Sequence, residues 1–273
     1  MRTSLVPSLL WLMVVSFLIS DETLASRAPL GAENRAEELE EPAAFLSSLL
    51  ERADQLREQG KFMAALAQLQ RGYNQEPQNA EILWRLALVK VDLGEIAKTT
   101  EEKMVYFLDA EKDARAAVSA NSDNANAYFV LAVAVGRVSL ISGNKTKVKL
   151  SRQVKEHAER AIRLNPNHAG AHHLLGRWHY EVKHLGFFAR KFAKLIYGGL
   201  PSASYEQAVE YFKKAIDLKD EIIHHLHLGR TYIAMGEKTQ ARSELQRVLS
   251  MPIIDPDDET HQAEAGMLLR RLE

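Results

Sequence analysis

Ten histidines and a regular series of arginines are the side chains whose chemistry could matter in this chain. His168 and His172 stand four residues apart and His179 follows seven later, so on one helix all three fall near a common face. Imidazoles at that spacing permit a metal site. Against it, the 273 residues include no Cys, no Glu completes an HExxH arrangement, and His172 and His179 occupy places where the surrounding helical pattern calls for packing aromatics. His224, His225 and His227 take the matching place in the next unit and receive the same reading: packed or exposed imidazoles, with no metal and no cofactor. Glycine-rich phosphate loops, nucleophile elbows and paired-carboxylate motifs do not occur, so an enzyme is not expected. A hydrolase or metal enzyme is favoured only if His168, His172 and His179 converge on an acidic side chain.

The elements that must position these residues are helices. Thirty-five Lys plus Arg oppose 36 Asp plus Glu, a formal charge of -1 that excludes a strongly basic nucleic-acid binder. The absence of Cys excludes a disulfide scaffold. With 14 Gly and 8 Pro among abundant Ala, Leu, Glu, Lys, Arg and Gln, the composition favours helix over a many-turned β architecture. Leu46, Leu49, Leu50, Ala53 and Leu56 recur at three- and four-residue intervals. Gly60 interrupts, and Phe62, Ala65, Leu66, Leu69 and Tyr73 resume the period before Pro77. Asn or Pro precedes later helices in EPQNAEILW, NSDNANAYF and NPNHAGAHH, where caps and stops belong. AYFVLAVAVGRVSLI is apolar nearly all round and should lie buried in mid-stack.

This pattern resembles the tetratricopeptide repeat, a helical hairpin of 34 residues. Marking the small residue at which two helices touch gives Ala53, Ala87, Ala132, Gly176 and Gly229, spaced by 34, 45, 44 and 53 residues. The first interval is the bare repeat. The others carry extra residues, placed at EIAKTTEEKMV after Gly94, SLISGNKTK after Val138 and HLGFFARKFAKLIYGGLPS after Lys183. The expected fold is all-α: a right-handed α-solenoid of about five hairpins with inserted helices, closed by the capping helix HQAEAGMLLRRL behind Asp257, Asp258 and Thr260.

Residues 176–218 carry a more specific likeness. Gly-Arg-Trp followed by an aromatic and Val, an amphipathic insert with Arg and Lys, a Gly-Gly-Leu-Pro turn, Ser-Tyr-Glu-Gln-Ala and a Tyr-Phe before Lys-Ala together resemble the signature of the regulator of microtubule dynamics protein family. The resemblance extends more loosely over residues 100–250 and implies a helical-repeat protein that associates with microtubules or membranes and acts through protein contacts. A microtubule partner applies only to a cytosolic eukaryotic chain.

Read physically, Trp178 fills core, and Ser204 with Gln207 forms a capping-box pattern. The insert places Phe187, Phe188, Phe192, Leu195 and Ile196 on one face and Arg190, Lys191 and Lys194 elsewhere. It is a helix folded back on the core or, alternatively, a helix facing a partner or lipid.

In stacked hairpins the first helix of each unit lines the concave face. Arg177 and Arg230 then hold the same place in consecutive units, and Arg137 sits one turn further along in the preceding one. Trp84, Phe129, His173, Tyr180 and Ile233 are expected beside them, giving an aromatic trough with bidentate donors for carboxylate or phosphate. The expected partner is an extended acidic peptide, with a phospholipid head group as the alternative. The bland competitor is that these arginines pair with Asp and Glu of adjacent helices. A closed apolar cavity beside Phe188 and Phe192 would favour a lipid-binding or lipid-transfer module.

Ahead of the repeats, Arg2, the apolar run from Leu9 to Ile19 and small residues up to Ala25 have the layout of a cleavable export signal, with a membrane anchor as the alternative. Residues 26–42 read as a solvated linker and 43–273 as the repeat domain. The location expected is periplasmic or secreted. Asn144-Lys145-Thr146 forms a glycosylation sequon in a predicted inter-helix loop.

Overall fold

A computed structural model describes residues 42–185, 194 and 198–273. The export-signal layout and all but the end of the linker lie outside the described residues, as do the insert aromatics Phe187, Phe188 and Phe192. Eleven helices stand among the described residues, and no strand does. They are α1 (Pro42–Glu58), α2 (Phe62–Gln75), α3 (Ala80–Ile96), α4 (Thr100–Ala120), α5 (Ala125–Leu140), α6 (Asn144–Leu164), α7 (Ala169–His184), α8 (Tyr205–Leu218), α9 (Ile222–Met235), α10 (Lys238–Ser250) and α11 (Asp258–Arg270). Five hairpins, α1/α2 through α9/α10, are followed by α11, the expected cap.

Local chemistry sets the boundaries. Asn79 Oδ1 accepts from the backbone N–H groups of Glu81 and Ile82, Asn124 Oδ1 from Ala127, and Ser204 Oγ from Gln207, satisfying donors that a helix start leaves open. Thr99 and Glu102 cap α4 reciprocally. Gly60, at φ +70°, makes the first hairpin turn, where a side chain would be strained. Pro42 is the first residue of α1, a place that tolerates its missing N–H, so the first helix begins one residue inside the expected linker.

The five small contact residues are buried, as the stacking argument requires. A Cβ built on Gly176 would come within 2.7 Å of the Phe212 ring, and one on Gly229 within 3.0 Å of Leu245. On the second helices, Ala65, Ala110, Ala114, Ala158, Ala208 and Ala241 are fully enclosed, which brings the backbones close. Helix α5 buries Val130, Leu131, Ala132, Ala134 and Val135 in mid-stack. The first two insertions are absorbed as helix: α4 and α6 run to 21 residues each, against 14 in α2 and α8. Asn144 is therefore the first residue of α6 and not part of a loop, which corrects the sequon's placement.

First helices pack on one another in succession, α1 on α3, α3 on α5, α5 on α7 and α7 on α9. Among the described residues the backbones of the second helices adjoin first helices and, for α10, the cap, while α4 and α6 meet through side chains, Arg115 donating to Gln153 at 3.4 Å. The tighter layer of first helices is thus the inner wall, and the second helices splay outside it.

An arginine ladder on the inner helices

Charged side chains bridge this inner layer rung by rung. Arg57 of α1 donates from Nε to Asp92 of α3 at 2.6 Å, and Arg85 of α3 donates back to Asp54 of α1 at 2.9 Å. Arg137 of α5 pairs with Glu95 of α3. Arg230 of α9 stands 3.5 Å from Glu264 of α11, with its guanidinium 5.9 Å from the centroid of the Tyr180 ring. These pairs join neighbouring helices that are far apart in sequence, which is the bland reading of the arginines at every rung but one.

Arg177 is that exception. It makes no ion pair or hydrogen bond among the described residues, and its Nε is buried without a partner. Burial, and next the nearby Arg137 guanidinium, lower its pKa from the ordinary arginine value; Glu181 opposes this and Arg230 adds to it. Arginine still keeps its proton at any physiological pH. Arg177 thus sits desolvated near Arg137 and Arg230 as well as Glu181, and a guanidinium carries five donors in a fixed fork whose geometry matches a carboxylate or phosphate.

A histidine junction floors this region. His173 of α7 meets His224 of α9 with Nδ1 atoms 2.9 Å apart, its ring lies 5.1 Å from that of His227, and Phe212 closes the group at 5.4 Å from His173. Burial drives the pKa values of His173 and His227 well below the usual imidazole value, and the positive charge of Arg177 acts in the same direction on both. The floor is therefore neutral, and it adds no competing cation near Arg177.

The inferred trough residues divide. Arg137, Arg177 and Arg230 lie close enough to act on one another electrostatically, with Tyr180 beneath Arg230 and His173 beside Arg177. Ile233 is half-buried against the core of the last two hairpins. Trp84 is not part of the trough: it is core, its indole N–H donates to Glu81 at 2.9 Å, and Arg85 covers its face at 4.1 Å. Phe129 lies on His168 at the start of α7, two turns from Arg177. What the residue spacing missed is the carboxylate side of the ladder, Asp54, Asp92, Glu95 and Glu264, together with His224 and His227 as the floor. The repeat register alone could have marked His227, which precedes Gly229 by two residues as Arg85 precedes Ala87.

The other histidines have structural roles of their own. His168 caps α7 by accepting from the Ala171 N–H at 3.1 Å, His172 Nε2 bonds the Pro166 carbonyl at 2.9 Å, and His179 stacks on Tyr211 at 5.4 Å. Trp178 donates to the carbonyl of Ser151 at 2.8 Å and is core, as its position indicated. Among the described residues, no group of three or more His, Asp or Glu is arranged so that it could hold a metal ion.

Comparison with known proteins agrees with the helical-repeat fold. The chain is 34% identical over 228 residues to regulator of microtubule dynamics protein 1 of Bos taurus, covering 82% of this chain and 71% of that one. The Mus musculus protein of the same name is 33% identical, covering 84% and 75%. A crystal structure of a tetratricopeptide-repeat protein from Thermus thermophilus superposes with a TM-score of 0.62 at 21% identity over 81% of this chain and 98% of that one, a likeness of fold. The profile described as "Regulator of microtubule dynamics protein 1-3" matches residues 49–273, and the chain belongs to that family.

Proposed function

We propose that the protein is a non-catalytic scaffold whose inner wall takes up an extended acidic segment of a protein partner, with Arg177 as the anchor. The observation that carries this reading is the unpaired, desolvated guanidinium in a ladder whose other arginines are paired among the described residues. Membership of a family named for the regulation of microtubule dynamics supports the protein-contact part of it. Arg230 and Tyr180 flank the anchor with a second fork and an aromatic face.

An unpaired buried charge costs stability, so Arg177→Met should stabilise the free protein by roughly 1 kcal/mol. The same change should weaken capture of a labelled octapeptide alternating Glu with Leu or Tyr by roughly 10- to 100-fold, the loss of one charge-assisted contact. Thermal melting and fluorescence anisotropy measure the two effects. Equal peptide affinity in Arg177→Met and the parent would remove the groove reading, and a fall in stability would show that Arg177 is a structural residue.

A further inference from the structure

Away from the inner wall, the edge formed by the ends of α5, α6 and α7 combines features not used above. Helix α6 carries seven Lys or Arg against two Glu in a chain that is nearly balanced overall. Its first nine residues, Asn144–Arg152, contain Lys145, Lys147, Lys149 and Arg152 and no acid. All four are exposed, and the three lysines make no ion pair among the described residues. Lys145, Lys149 and Arg152, spaced by four and three residues, share the stripe pointing away from Val154, Ala158 and Ala161, which face the core.

Apolar side chains project at the same edge. Leu140, the last residue of α5 and one turn of chain from Lys145, is 59% exposed. Arg152 donates from Nε to the Gly199 carbonyl at 3.2 Å, which ties this end of α6 to the turn beyond α7. That turn, residues 198–203, walls one recess with Val182, Lys183 and Lys194. Leu185, which follows α7, is 42% exposed. The edge thus presents two large apolar side chains among cations drawn from three elements.

We infer that this edge docks peripherally on an anionic membrane surface, with the lysines at the level of the lipid head groups and Leu140 and Leu185 dipping between them. Lysine has the chemistry for this: a flexible stem beside apolar groups and a head that stays among phosphates. An anionic bilayer satisfies both sets of side chains at one surface, its head groups taking the cations and the acyl region just beneath them the leucines. No helix among the described residues is long and apolar enough to cross a membrane.

The test is flotation of the full chain with vesicles of phosphatidylcholine alone and of phosphatidylcholine and phosphatidylserine in a three-to-one mixture. Residues 1–41 are common to every variant, so the readout is the difference between variants. The parent should float with the mixed vesicles more than with the neutral ones, and less as salt rises. The triple change Lys145→Gln, Lys147→Gln and Lys149→Gln should lose roughly 100-fold in partition, and Leu140→Ser roughly tenfold. Arg177→Met should float like the parent, which keeps this surface distinct from the groove. Unchanged flotation of the lysine variant would overturn the inference. So would indifference to Leu140→Ser, or lysine-dependent binding of polyglutamate with no vesicle binding, which would assign the edge to an acidic protein.

Discussion

At the scale of single residues, the chain holds many imidazoles away from water, and this makes its stability depend on pH in a definite direction. Burial lowers the pKa of His157, His168, His173, His179, His224 and His227, with His179 and His224 brought to about 4. His225 is the counter-example: burial acts against its charge, but Glu244 at 2.6 Å and Asp220 at 2.7 Å outweigh it and raise its pKa. A histidine whose folded pKa is depressed takes up its proton first in the unfolded chain. Its stabilising effect is therefore complete above about 6.5 and is lost progressively down to its folded value. His225 works oppositely, adding stability in acid that disappears as pH rises through its folded pKa. Six groups against one make acid the destabilising direction. Between pH 7 and 5, His179 alone should account for about 2 kcal/mol of the loss. His179→Phe, which keeps a ring against Tyr211 and Trp178, should flatten the curve by that amount in urea titrations at the two pH values; an unchanged slope would place the proton uptake elsewhere. The repeat register marked His179, like His172, as a packing position and read His168, His224, His225 and His227 as packed or exposed, whereas His173 was expected in the trough and His157 was not singled out. The sequence could not single out Arg177, because the pairs that satisfy the other arginines span 31 and 35 residues, as in Arg85–Asp54 and Arg57–Asp92.

At the scale of elements, helix contact rests on what fits between two backbones, and glycines separate into those that need to be glycine and those that do not. In α7, a methyl group on Gly176 would sit 2.7–3.0 Å from the Phe212 ring, which is fully enclosed and has nowhere to move. In α5, a methyl group on Gly136 would meet Val154 at 3.6 Å, an ordinary contact. Both are helical, so alanine gains about 1 kcal/mol of helix propensity at either site. At Gly176 the overpacking, about 1–3 kcal/mol, outweighs that gain. Chemical denaturation should show Gly176→Ala losing roughly 1 kcal/mol and Gly136→Ala gaining up to about 1 kcal/mol. A gain at both sites would mean that the α7/α8 contact is looser than Phe212 makes it. Helices were legible to this depth because period, caps and small contact residues are local signals, and all five contact positions could be named from spacing. Where extra residues go was less legible. A lengthened interval such as that between Ala87 and Ala132 reads equally as loop or helix until its cap is seen, and Thr99 with Glu102 shows that α4 starts early and runs long. Trp84 was assigned to the trough for the same reason. Register gives a residue's place along the helix, while its direction depends on Glu81 and Arg85 beside it.

At the scale of the whole molecule, a stack of hairpins is held by contacts between neighbours, so its ends matter more than those of a globular core. Helix α11 and the residues just after it close the last hairpin, burying Ala265 and Leu272 against the core of α9 and α10. Polar contacts fix it there. Gln262 donates to the carbonyls of Val248 and Met251 at the end of α10, and Asp258 accepts from the backbone N–H groups of Ile254 and Asp255. Arg230 also loses its carboxylate partner, Glu264, if the helix is removed. Deleting residues 252–273 should therefore uncover apolar surface around Leu228, Leu245 and Val248 and leave the end of α10 with unsatisfied carbonyls. Because coupling runs only through adjoining helices, the damage should fade along the stack. Amide hydrogen exchange should speed up by roughly 100-fold in α9 and α10, less in α7, and scarcely at all in α3 and α5, where the largest cluster packs around Ala87, Leu131 and Val135. An equal loss of protection in every helix would instead mean that the five hairpins unfold as one block. In that case the region around Arg177 would share its stability with the far end of the molecule rather than with its immediate neighbours.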